Sequence, residues 1–201
     1  MLHSTTQKKQ RGFSLLEMLI VVAVILVLGA IAVPRVVNTV SDINLRYFAS
    51  NLGGLLQTAR IQAVRRNAIS TLQQTTLASG GPAYYLDPAN GAYANGDPVL
   101  PVGTQLTVYP GGGSGAPNEN AFTAGRGYAV YSGATLPSFN ARGLPCIAAG
   151  TACPEVPGQG FAVIISKSTV TGNVNYASVV ITPSGRVQIW TCDSNGTWIQ
   201  R

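Results

Sequence analysis

At 201 residues, 46% of them hydrophobic and only 10% charged, the chain is too apolar for disorder and poorly charged for an ordinary cytosolic enzyme. Its net charge of +6 falls to +3 without Lys8, Lys9 and Arg11 of the N-terminal tail, a surplus that permits contact with DNA or anionic lipid without arguing for either. A single histidine, His3, excludes Ser-His-Asp, Cys-His and His-ligated metal chemistry.

The first predicted element runs from Phe13 to Val33, an apolar stretch whose only charge is Glu17. As a helix it spans about 31 Å, enough for a hydrocarbon core of about 30 Å. The basic residues before it keep the tail cytoplasmic and place the remainder outside. Ala30-Ile31-Ala32 offers a cleavage site after Ala32, so a secreted soluble binding protein is one reading. Glu17 argues for the other, a retained membrane helix. A carboxylate inside lipid costs on the order of 3 kcal/mol and needs a partner and a purpose, which a disposable signal lacks.

The stretch Arg11-Gly12-Phe13-Ser14-Leu15-Leu16-Glu17-Met18 resembles the type IV prepilin signature. The resemblance implies cleavage between Gly12 and Phe13 by a prepilin peptidase that also methylates the new Phe13 amine. It makes residues 1–12 a leader peptide and 13–34 a transmembrane helix in the inner membrane, N-terminus cytoplasmic before processing and C-terminal domain periplasmic. It also implies other pilins or pseudopilins as filament partners. Electrostatics suits that picture, since the Phe13 amine of a neighbouring subunit can neutralise Glu17 in a low-dielectric setting. Glu17 then sets the axial register of the filament.

Apolar positions continue at Val36, Val40, Ile43, Tyr47, Leu52, Leu55, Ala59 and Ala63, predicting one amphipathic stripe over residues 35–67 on which a globular domain packs. Pro34 predicts a kink or local melt near Ile31 to Pro34, and Gly29, Gly53 and Gly54 are further soft points. Arg60, Arg65 and Arg66 gather at the helix end, where cations suit the helix dipole; a partner or DNA surface is the alternative. The segment from Ala59 to Asn67 is similar to the helix end of GspH/FimT pseudopilins, as are Phe139-Asn140-Ala141-Arg142-Gly143 and Thr182-Pro183-Ser184-Gly185-Arg186-Val187.

From residue 68 onward the period becomes two. Strands are expected at Ile69–Leu77, Ala83–Leu86, Gln105–Tyr109, Gly127–Tyr131, Phe161–Ser166, Asn175–Thr182, Arg186–Thr191 and Thr197–Ile199, with hairpin turns at Pro183-Ser184-Gly185 and Asp193-Ser194-Asn195-Gly196. One long helix followed by many short strands gives an α+β lollipop: an antiparallel sheet domain over 68–201 packed on the helix. Residues 80–127 are rich in Gly and Pro and read as an ordered loop or flexible insertion. Within it Asp87, Asn90, Asn95 and Asp97 carry oxygen ligands suited to calcium, but their spacing matches no EF-hand and plain turns explain them, so no metal is assigned. Gly111-Gly112-Gly113-Ser114-Gly115 lacks the Lys-Ser or Lys-Thr of a phosphate loop.

Cys146 and Cys153 close a short loop in which one disulfide fits an oxidising compartment, leaving Cys192 as an odd thiol or core residue. In the last hairpin, alternation places Arg186 and Trp190 on one face, with Trp198 and Arg201 on the adjoining strand. That grouping offers a DNA or partner contact, or else a cross-strand aromatic pair that stabilises the hairpin. Some DNA-binding FimT-like minor pilins resemble it, although Gln188 stands where their second arginine falls. Six carboxylates beyond Glu17 show no catalytic spacing, so no enzyme and no cofactor are expected. The sequence therefore resembles a minor pseudopilin or minor pilin of the GspH/FimT group, serving type II secretion or a type IV pilus.

Overall fold

A computed structural model of the chain describes residues 14–87, 92–94, 96–103, 105–111, 113–133, 135–150, 152–168, 174–193 and 195–201. Helix α1 (Leu15–Arg66) runs unbroken for 52 residues. The expected melt before Pro34 is absent. Proline removes one rung from this long ladder, and the turns on either side keep their own hydrogen bonds. The helix ends at Asn67, which takes a left-handed conformation (φ 50°, ψ 42°) and donates its N–H back to the carbonyls of Ala63 and Val64.

Among the described residues eleven strands follow: β1 (Ser70–Thr76), β2 (Pro82–Asp87), β3 (Val99–Pro101), β4 (Leu106–Pro110), β5 (Ala129–Val130), β6 (Ser138–Phe139), β7 (Pro145–Cys146), β8 (Gln159–Ser168), β9 (Val174–Ile181), β10 (Val187–Cys192) and β11 (Trp198–Gln200). They form two sheets, in the orders β3-β2-β1-β6-β7 and β11-β10-β9-β8-β4. All pairs along both orders are antiparallel; only β5 runs parallel to its partner β8. The α+β architecture expected from the sequence is the one observed.

Both sheets close on one side of α1. Leu45, Phe48, Leu52, Leu56, Ala59 and Ala63 meet Leu72 and Phe139 of the first sheet and Phe161, Ile165, Val179 and Ile181 of the second. Gly53 allows a close approach to the second sheet, because a Cβ there would lie 3.3 Å from Ile189 Cδ1 of β10. The predicted stripe needs correction in its first half. Val36, Val40, Ile43 and Tyr47 are exposed, and the packed face begins instead at Ser41 and Leu45. At about 100° per residue the two sets lie on opposite sides of the helix.

The Gly- and Pro-rich insertion carries the two expected strands, as β2 and β4, and adds two elements that were not expected, β3 and a 3₁₀ turn at Glu119–Phe122. That turn lays Phe122 over the far face of the second sheet, where a smaller core forms with Ala162, Ile164, Val180, Trp190 and Trp198. With both faces covered, β8 is buried from Gly160 through Lys167.

Candidate functional site

The head of the chain comes first. Gly12 and Phe13, the expected cleavage and methylation positions, lie outside the described residues. Glu17 lies in the first turn of α1, the only acidic residue there, and is exposed among exposed apolar neighbours. The most apolar 18-residue window of the helix has a mean hydropathy of 3.0 and none of it is buried against the domain. Among the described residues this is the one helix long and apolar enough to cross a membrane.

At the opposite end of α1, three separated stretches converge on one arginine. Arg60 Nε donates to the Gly143 carbonyl at 3.1 Å, and its Nη2 donates to the Ser184 carbonyl at 3.3 Å. Gly143 and Gly185 both hold left-handed φ values, 74° and 77°. A Cβ on Gly185 would fall 2.4 Å from the Gly143 oxygen, and one on Gly143 would fall 2.9 Å from Val64 Cγ2. The backbones therefore approach as only glycines allow. Next to this knot Asn140 Nδ2 and Arg142 Nη2 both donate to Glu155 Oε1. Of the helix-end arginines, Arg60 is thus engaged by backbone oxygens, while Arg65 and Arg66 stay exposed in the last turn. Sequence reading grouped the three by their place at the helix end. The distinguishing signal for Arg60 was its position one residue after Ala59 of the packed stripe.

The last hairpin is built differently from the expectation. Arg186 is exposed, but Trp190 is only 5% exposed and packs edge-on against Phe122 at 5.7 Å between centroids. Arg126 lies over the Trp190 ring at 4.8 Å, which covers it further. Trp198 donates its Nε1–H to the Pro117 carbonyl at 2.6 Å, tying the inserted segment down. Arg201 donates from its backbone to Ile189 and from Nε to Thr191 Oγ1, so it belongs to the helix-facing side of β10 rather than the Trp190 side. Arg186, Trp190 and Arg201 do not share an open surface. Alternation gives the parity of Arg186 and Trp190 but carries no sign of the segment that covers Trp190.

The remaining sites are local. Cys146 and Cys153 are bonded, with Cα atoms 5.3 Å apart, and close the loop after β7. Cys192 is a free, half-buried thiol whose pKa is pushed up by burial and then by the Asp193 charge. Glu119 accepts from the backbone N–H groups of Gly113 and Ser114, both at 3.0 Å, and from the Ser114 hydroxyl at 2.6 Å. Burial works to raise its pKa, but these hydrogen bonds outweigh it and hold the carboxyl below its ordinary value. Of the expected calcium ligands, Asn90 and Asn95 lie outside the described residues, Asp87 accepts from Gln73 Nε2 at 3.1 Å, and Asp97 accepts from the Ala94 N–H at 2.8 Å. Among the described residues no three His, Cys, Asp or Glu side chains converge as metal ligands.

Comparison with known families adds one finding. The family model described as the prokaryotic N-terminal methylation motif matches residues 7–33, which span the Gly12-Phe13 junction, Glu17 and the apolar turns after it. No curated protein and no solved structure matches the chain. With a methylation motif heading a long helix that carries a β-domain, the chain is type IV pilin-like.

Proposed function

We propose that this pilin-like chain is a minor pseudopilin or minor pilin of the GspH/FimT group, a subunit of a periplasmic filament in a type II secretion system or type IV pilus. Prepilin peptidase cuts between Gly12 and Phe13 and methylates the Phe13 amine. The 13–34 segment then holds the subunit in the inner membrane, with residues 68–201 in the periplasm, until the filament takes it up. Glu17 pairs with the Phe13 amine of a neighbour and selects the axial stagger. The action is mechanical, and no bond is made or broken by the subunit itself.

The methylation motif at residues 7–33, set at the head of a helix with a bare apolar surface, carries the reading. Support for the GspH/FimT group comes from the three quoted stretches, which are distant in sequence yet meet around Arg60. A shared structural junction explains why residues of those types sit together in all three.

The test is mass spectrometry of the chain expressed with and without prepilin peptidase. The expected product begins at N-methylated Phe13 only when the peptidase is present. A product beginning at Val33, or an intact precursor beside active peptidase, would overturn the assignment. Glu17→Val is expected to be processed normally yet to enter filaments at least about tenfold less, the scale of a lost interior charge pair. Equal incorporation would remove the register role.

A further inference from the structure

Lys167 is the only lysine or arginine among the buried described residues, and it lacks a partner among them. It is 7% exposed, and no hydrogen bond or ion pair to it forms among the described residues. Its position follows from strand parity. Phe161, Val163 and Ile165 of β8 point into the core against α1, so Lys167, two residues further, points to the same side. There the packing ends and a groove of about 750 Å³ opens between α1 and the corner where β3 passes into β4.

One wall of the groove is α1. Asn44, Asn51 and Thr58 line it at intervals of two turns, so they form a straight polar row about 21 Å long. Phe48 and Leu55 stand between them, and Leu100 and Leu106 face them from the strands. An extended peptide rises about 3.4 Å per residue, so the row spans about six residues. Neither Asn44 nor Asn51 forms a side-chain hydrogen bond among the described residues. A carboxamide both donates and accepts, as a peptide group does, whereas an acyl chain would leave such groups unpaired. The stem of Lys167 is buried while its ammonium opens onto the groove, where a carboxylate is the group that complements it.

We propose that this groove binds an extended acidic peptide segment, its carboxylate on Lys167 Nζ, its backbone along the Asn44–Asn51 row and its apolar neighbours against Phe48 and Leu55. The site does not depend on how the N-terminus is processed.

The test uses the full chain in neutral detergent and a fluorescent probe, acetyl-Leu-Val-Asp-Leu-Val-amide, against the same peptide with Asn for Asp. Fluorescence polarisation should show the Asp peptide binding about tenfold more tightly, the scale of one charge-assisted contact. Lys167→Met should abolish that preference and Lys167→Arg should keep it. Asn51→Leu, which leaves the charge in place, should weaken both peptides alike and preserve their ratio. Absent binding, equal binding of the two peptides, a preference that survives Lys167→Met, or displacement of the peptide by decanoate at lower concentration would each overturn the proposal. Should Lys167→Met lose its near-ultraviolet circular dichroism, Asn51→Leu decides: unchanged affinity for both peptides overturns the site.

Discussion

Gly185 and Glu119 show how single residues hold this domain. Gly185 has a left-handed φ of 77°, and a Cβ added there would lie only 2.4 Å from the Gly143 oxygen, the oxygen that receives Arg60. Gly185→Ala must move that carbonyl as well as strain its own backbone, and we expect a loss of roughly 1–3 kcal/mol. Gly158 has a similar φ of 69° with nothing within 4 Å of its Cβ position, so Gly158→Ala bears only the backbone cost. Chemical denaturation of the full chain in detergent should rank Gly185→Ala as the more damaging, and equal midpoints would refute the close-approach argument. Glu119 acts through its protonation. Its carboxylate receives three donors from Gly113 and Ser114, so the folded chain gives up this proton more readily than the unfolded chain. The stabilisation is therefore complete above the unfolded value near 4.5 and fades as pH falls through the lower folded value. Acid should loosen the turn that covers Trp190 and Trp198 before the main core yields, seen as a shift in tryptophan emission. Glu119→Gln should carry a loosened cover at neutral pH and lose that acid-dependent shift.

At the scale of elements, what could be read in advance was whatever neighbouring residues specify. The apolar run with its Glu17, the β9–β10 turn at Pro183-Ser184-Gly185 and the β10–β11 turn closed by Asp193 all depend on short-range chemistry. Strands β3, β6 and β7 escaped because two or three residues are too few to show an alternation, and β6 in addition depends on pairing with the distant β1. The helix stripe was misphased for another reason. Helix α1 is apolar on two sides, and a period of three or four does not say which side meets the domain. The engagement of Arg60 was hidden likewise, since its acceptors are backbone oxygens that come close only after folding. Burial of Trp190 depends on Phe122, far away in the chain, and alternation along β10 carries no record of that cover.

For the whole molecule, the two-sided helix leaves apolar surface that the domain never covers. Beyond the membrane-length segment, Val36, Val40, Ile43 and Ile61 stay exposed on the side away from the sheets. Ile43 and Ile61 are about five turns apart at about 3.6 residues per turn, so one straight line on the helix joins them. This face is apolar from Val36 to Tyr47 and then runs past the small residues Ser50 and Gly54 to Ile61, a surface suited to close helix packing between subunits. Ile61 lies near its upper end, far along the helix from the apolar run, where a charge tests packing without altering that run. Ile61→Asp should leave the subunit's own stability within about 0.5 kcal/mol, as for other exposed positions. Leu52→Ala, inside the core, should cost roughly 2–5 kcal/mol. Cysteine cross-linking between co-expressed subunits in membranes should then separate the two effects. Ile61→Asp should lose cross-links while its melting is unchanged, and cross-linking at the parental level would show that this line of the helix faces nothing in the assembly.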